Sequence, residues 1–230
     1  MSQLFHETST IKDGNLGFKW GASKEVLANR IAFLDRFSMS LANCVSMEVE
    51  HGDNITHVTK TDIGKTIITE AFITNDKNVL LFLLTADCFP VVFYDPLKEV
   101  VGLAHLGWKP IDKQLAKKVI AEMREVYESS VEDIQVFLGP GIHKESYLFE
   151  NPPHRNLSGW SQFLTISESG ETHIDLIGHI EEQLLGKGIL PKNIHISPID
   201  TATSNEYFSH YRAIRSGEAE GRFATIAALL

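Results

Sequence analysis

Three interruptions of strand-like apolar sequence carry the residues best suited to chemistry. In Thr85-Ala86-Asp87-Cys88-Phe89-Pro90, polar groups and a thiol break what is otherwise a continuous buried strand. Seventeen residues after Cys88, another apolar run ends in Ala104-His105-Leu106-Gly107-Trp108, just before helical sequence. The third break, Glu50-His51-Gly52, closes the alternating run VSMEVE. Two imidazoles and a thiolate are a natural Zn²⁺ ligand set that leaves a fourth position for water or substrate. Spacing alone does not select this trio. No local pattern such as CxxC occurs, and a single Cys beside an apolar strand is usually a small buried hydrophobe.

VLLFLL (79–84), VVFY (91–94), EVVGLAH (99–105) and IQVFLG (134–139) are rich in β-branched and aromatic residues and predict strands. Their near-continuous apolar character implies a sheet covered on both faces. DPLKE (95–99) is a turn, so 91–94 and 100–104 are expected to pair as an antiparallel hairpin, which would bring Cys88 to His105. Over 23–39, Val26, Leu27, Ile31, Leu34 and Phe37 recur at helical spacing and predict an amphipathic helix. Ile111, Leu115, Val119, Met123 and Val126 predict a second helix, and Ile174, Ile177, Ile180 and Leu184 a third that stops at Gly186 and Gly188. NPPH (151–154) with the residues up to 169, and TSNEYFSHYRAIRSGEAEGR (203–222), read as loops and candidate walls of a site. The fold class is α+β. With no repeat or Gly/Ser linker, residues 1–230 are expected to form one domain.

Composition excludes several classes. The 230 residues are 43% hydrophobic and 22% charged, which argues against disorder and a disulfide scaffold. No apolar run approaches the roughly 20 residues of a membrane span, and MSQLFHETSTIKDG lacks the features of a secretory signal. The cytoplasm is therefore the expected compartment, with Cys44 and Cys88 as free thiols and Cys44 in the core. A net charge of −9 without a Lys/Arg cluster argues against nucleic acid as partner. Small polar substrates fit better, and a monomer is expected.

The segments NR (29–30), HG (51–52), FIT (72–74), TADCFPVVFYDP (85–96), AHLGW (104–108), LGPGI (138–142), FSHYR (208–212) and GR (221–222) together resemble the YfiH-type laccase-domain family. That family is named for polyphenol oxidase activity and is also associated with purine nucleoside phosphorylase activity. The resemblance covers most of the chain. It implies a four-layer αββα fold and a zinc site on His51, Cys88 and His105, which would also be the catalytic residues. The implied reaction is phosphorolysis of adenosine, inosine, guanosine or methylthioadenosine, with adenosine deamination beside it. Purine nucleoside and phosphate are then the partners, and substrate contacts are expected from Arg212, Lys109, Tyr211 and Asn29. A helix start past His105 with Lys109 nearby suits an anion, Tyr211 or Trp108 a base, and Arg212 phosphate or sugar. Core packing is the stronger alternative for Trp108. Asp87 either orients a ligand or caps a turn.

The sequence departs from the family pattern at substrate positions. The Arg-Gly that usually follows HAGW is Lys109-Pro110, SYRRD is Ser209-His210-Tyr211-Arg212-Ala213, a common Cys-Thr is Asp200-Thr201, and the Gln before HG is absent. These departures bear on nucleoside specificity and turnover more than on zinc. Copper ranks behind zinc, because a multicopper laccase needs several His-X-His pairs and none occurs. The combined H-x-E and P-C-x-x-C signature of zinc nucleobase deaminases is also absent. Two other classes compete: a cysteine hydrolase with Cys88 as nucleophile and His105 as base, for example in editing cell-wall precursors, and a zinc-stabilised binding module without turnover. His57, His143, His154, His173, His179 and His195 are expected to be solvated or hydrogen-bonded, and His210 is a candidate cleft wall.

Overall fold

The computed structural model describes residues 3–230. Its first half runs β1 (Leu4–Thr8), α1 (Ser23–Asp35), β2 (Cys44–Glu48), β3 (Ile55–His57), β4 (Thr66–Ile68), β5 (Ala71–Thr74), β6 (Leu80–Thr85), β7 (Phe89–Asp95) and β8 (Val100–Leu106). The second half adds α2 (Trp108–Asp112), α3 (Leu115–Tyr127), β9 (Gln135–Leu138), β10 (Leu148–Phe149), β11 (Leu164–Ile166), β12 (Thr172–Ile174), α4 (Leu176–Gly186), β13 (Ile194–Ile196), α5 (His210–Ser216) and β14 (Phe223–Leu229). Two large sheets form, in the orders β1-β14-β6-β2-β4 and β13-β9-β7-β8-β5-β3, with a small third sheet β10-β12-β11.

Strand periodicity stacks these sheets. Leu80 and Phe82 of β6 pack with Phe33 and Leu34 of α1, while Leu81 and Leu83, pointing the other way, join Val92, Tyr94, Val101 and Leu103 between the two large sheets. Val91 and Phe93 turn to the opposite face of β7, against Ile111, Val119, Ile120 and Ile180 of the helices. β7, β8 and β14 thus bury both faces, each fully buried Leu or Phe side chain contributing about 1.5–3 kcal/mol. The result is helix, sheet, sheet, helix: the αββα arrangement. The predicted hairpin is present, with Val91 opposite Ala104 and Tyr94 opposite Val101. The strand of 79–84 belongs to the other sheet.

Several expectations are corrected. α1 ends at Asp35, where Ser38 at φ 57° and the Met39 N–H bonded to the Leu34 carbonyl close the helix. Its buried face is Val26, Phe33 and Leu34, whereas Leu27 and Ile31 are exposed. The helix expected over 111–126 is two helices, because Gln114 is left-handed, and Val126 is exposed. Ile174 ends β12, and α4 begins after Asp175, whose carboxylate accepts the Gly178 N–H. The segment expected as loop over 203–222 contains α5, capped by the Ser209 hydroxyl and closed by left-handed Gly217. His57 and His173 are hydrogen-bonded as expected, and His195 stacks on Phe137. His154 and His179 are buried instead, and neither ring nitrogen of His154 nor Nδ1 of His179 has a partner among the described residues; the same holds for Nε2 of His143. Among the described residues no helix is long and apolar enough to cross a membrane.

Candidate functional site

The β7–β8 hairpin places Pro90 opposite His105 and Phe89 opposite Leu106, so Cys88, just before β7, meets Gly107, just after β8. A Cβ at Gly107 would lie 2.7 Å from Cys88 Sγ, so glycine is what leaves room for the thiol. His51 arrives from the turn after β2 with φ 62°, and Asp87, which leads into Cys88, sits at φ 85°. Two of the three loops that carry His51, Cys88 and His105 therefore hold a non-glycine residue in left-handed backbone, a state that costs of order 1–3 kcal/mol and persists where surrounding contacts enforce it. One ligand atom each from His51, Cys88 and His105 lies within 4.8 Å of the others. The His51 and His105 rings meet edge to face with centroids 5.1 Å apart. His105 is buried, Cys88 half-buried and His51 exposed. This is the one such group among the described residues, and its two-imidazole, one-thiolate composition fits Zn²⁺ with an open position.

Burial alone would push the Cys88 thiol up, but His105, then His51, attract and hydrogen-bond the thiolate and bring it down to about 6. Burial likewise opposes charge on His105, yet the Cys88 thiolate and the Glu70 carboxylate raise it to about 9. Glu70 is fully buried. Its Oε2 lies 2.7 Å from His105 Nδ1, and its Oε1 accepts the N–H groups of Glu50 (2.7 Å) and Gly52 (2.9 Å). Burial opposes its charge too, but these partners, His105 foremost, hold Glu70 below the usual carboxylate range.

The cluster opens into a cavity of about 520 Å³, within the range of small-molecule sites. Arg30, Arg222, Lys19 and His210 bring polar groups to its wall, and Phe18, Trp20 and Phe82 bring rings. Arg30 donates Nε–H to the Leu16 carbonyl at 2.8 Å and lies 4.3 Å from the Phe18 centroid and 4.9 Å from that of Phe82. Arg222 lies 3.6 Å over Trp20 and bonds Glu220, which also accepts from His210 Nδ1 at 2.7 Å.

The other residues expected to touch substrate lie elsewhere. Lys109 is exposed on α2, its Nζ 5.5 Å from the centre of the Trp108 ring. Arg212 donates to the carbonyls of Thr201, Ser204 and Tyr207 and to Glu218. Tyr211 donates its O–H to the Leu148 carbonyl at 3.0 Å and packs beneath Arg215. Asn29 bonds the Asn15 carbonyl. Asp87 accepts from Thr201 Oγ1 (2.7 Å) and Tyr211 N–H (2.6 Å), so it pins the start of α5. None of these five lines the cavity. Trp108 packs against the helix-side core, and His210 is a cavity wall as expected. Arg30, Arg222 and Glu70 escaped the sequence reading, although NR (29–30), GR (221–222) and the flank of FIT (72–74) pointed to their segments.

Fold and site together define a laccase-domain protein. The chain belongs to the family described as multi-copper polyphenol oxidoreductase laccase, whose model matches residues 6–230. It is 35% identical to purine nucleoside phosphorylase YlmD of Bacillus subtilis over 135 residues, 55% of this chain and 49% of that protein. The match thus spans about half of that relative's length. Purine nucleoside phosphorylase YlmD of Geobacillus stearothermophilus is 28% identical over 218 residues, 86% of this chain and 78% of that protein. Its crystal structure aligns with TM-score 0.83 at 25% identity, covering 100% of this chain and 91% of that one. The crystal structure of the Bacillus licheniformis hypothetical protein YfiH aligns with TM-score 0.88 at 25% identity over 99% of this chain and 93% of that one.

Proposed function

We propose that this chain is a single-domain, zinc-dependent purine nucleoside phosphorylase that converts nucleoside and phosphate to base and ribose 1-phosphate, with adenosine deamination as a side reaction. The observation that carries this reading is the cavity that joins His51, Cys88 and His105 to Arg30 and Arg222. When bound, zinc supplies a Lewis acid and a water with a pKa near 7. Among the described residues the Arg30 Nη groups have no acceptor, so they are free to hold phosphate oxygens against C1′ of the ribose, with Arg222 beside them. Phe18 and Trp20 offer rings to the base. Phosphate oxygen then forms the bond to C1′ as the C1′–N9 bond breaks, and the base leaves with the bonding pair. The purine nucleoside phosphorylase names borne by the two YlmD relatives support the reaction class.

The assay is chromatography of adenosine with the purified chain, with and without phosphate, beside Cys88→Ala and Arg30→Met. Phosphate-dependent adenine and ribose 1-phosphate are expected, lost in Cys88→Ala and with KM for phosphate raised about ten-fold in Arg30→Met. Inosine formed without phosphate would make deamination the main reaction, and no product at all would overturn the phosphorylase. The paired Cys88 and His105, with the thiol near 6, also support a cysteine hydrolase. Activity that survives a metal chelator and is abolished by thiol alkylation would select it.

A further inference from the structure

We propose that Glu70 is the positioning residue of the metal site: one buried carboxylate that sets the tautomer of His105 with one oxygen and the backbone of His51 with the other. The proposal rests on the reading of His51, Cys88 and His105 as metal ligands and concerns how they are held.

The backbone makes the placement unavoidable. Ala71 of β5 pairs with Ala104 of β8, so the next register position sets Glu70 opposite His105, and the His105 N–H donates to the Glu70 carbonyl at 2.8 Å. An ionised carboxylate only accepts. The 2.7 Å contact from Oε2 therefore puts the hydrogen on Nδ1 of His105 and leaves Nε2 as the ligating nitrogen. Oε1 is committed to the N–H groups on either side of His51, at Glu50 and Gly52. Those two bonds grip the turn in which His51 takes its left-handed conformation. Glu70 is fully buried, which shields both oxygens from bulk solvent.

A carboxylate is required because both of its ends accept. Glutamine keeps the shape but has one accepting end and one donating end. If the amide nitrogen faces His105, Nδ1 must accept and the proton moves to Nε2, the atom the metal needs. If it faces the turn, it meets two N–H donors and the His51 backbone loses its anchor. Either orientation disables one ligand, a defect of pairing rather than of volume.

The test uses the full chain, with zinc competed against a chromophoric chelator, visible absorption of the Co²⁺-loaded protein, and Tm of the metal-free protein. Glu70→Gln is expected to bind zinc 10–100-fold more weakly than wild type, with an altered cobalt spectrum. Glu70→Asp, which keeps two accepting oxygens, should recover part of the affinity. Wild-type zinc binding matched by Glu70→Gln would overturn the proposal while leaving the metal site intact, as would a lower Tm with unchanged affinity, the mark of a merely structural residue. Wild type that binds neither zinc nor cobalt would overturn the metal reading itself, and the proposal with it. Should Glu70→Gln not fold, ¹⁵N NMR of zinc-loaded wild type decides: Nδ1 protonated on His105 is expected, and ligation through Nδ1 refutes the assignment.

Discussion

At Gly107 the missing side chain is what the site uses. Alanine there would set a methyl carbon 2.7 Å from Cys88 Sγ, on a strand end held by the β7–β8 register, so the thiol must turn away or the hairpin shift. Gly107→Ala is expected to cost about 1–3 kcal/mol of stability and to weaken zinc retention, measured by urea unfolding and by metal analysis of the purified protein. Unchanged stability and zinc content together would contradict this account. The sequence showed Cys88, His105 and His51 as polar interruptions of apolar strands. It did not show Glu70, because a glutamate at a strand start is ordinary until its register partner is known.

Among the elements, α5 shows how a recognised motif can carry a role other than the expected one. Arg212, read from FSHYR as a substrate contact, spends its guanidinium on three backbone carbonyls and Glu218, tying the 201–207 segment to α5. Lysine cannot reach that set of acceptors. Arg212→Lys is expected to lose about 2 kcal/mol, a fall in Tm of about 4–8 °C for a chain of this size, with KM for phosphate unchanged. A raised phosphate KM at unchanged Tm would restore the substrate role. α3 was legible because Leu115, Val119 and Met123 repeat one buried apolar face. α5 was not, because seven residues make only two turns, and its signals are a Ser at the start and a Gly at the end.

Over the whole molecule, three apolar interiors bind four layers, and polar groups buried among them couple stability to pH. His154 lies edge-on to Trp108 and Trp160, and Trp160 in turn meets His179 and donates Nε1–H to Asp112. This aromatic cluster clamps residues 153–163 onto α2 and α4. Burial drives His154 down to about 4, with His179 adding to that shift and Asp112 opposing it. The unfolded chain binds the proton near 6.5, so acid favours unfolding: stability is full above about 6.5 and falls as pH drops towards 4, by roughly 2–3 kcal/mol. Urea unfolding at pH 7 and pH 4.5 measures the loss, and His154→Phe should remove most of the slope. An equal slope in the variant would assign the acid sensitivity to other groups.

The residues alone carried the α+β class, the β7–β8 hairpin and, through it, the approach of Cys88 to His105, since near-continuous apolar runs and the five-residue turn between them are local properties. The family motifs added the expectation of αββα layers and of zinc on His51, Cys88 and His105. Packing of the layers set which side chains share one space: Arg30 and Arg222 in the cavity wall, Glu70 behind His105 and the His51 turn, and Lys109, Tyr211, Arg212 and Asn29 outside it. Those choices depend on which face of each strand and helix meets which neighbour. Sequence periodicity states that a face is buried, and only the packing of four layers states against what.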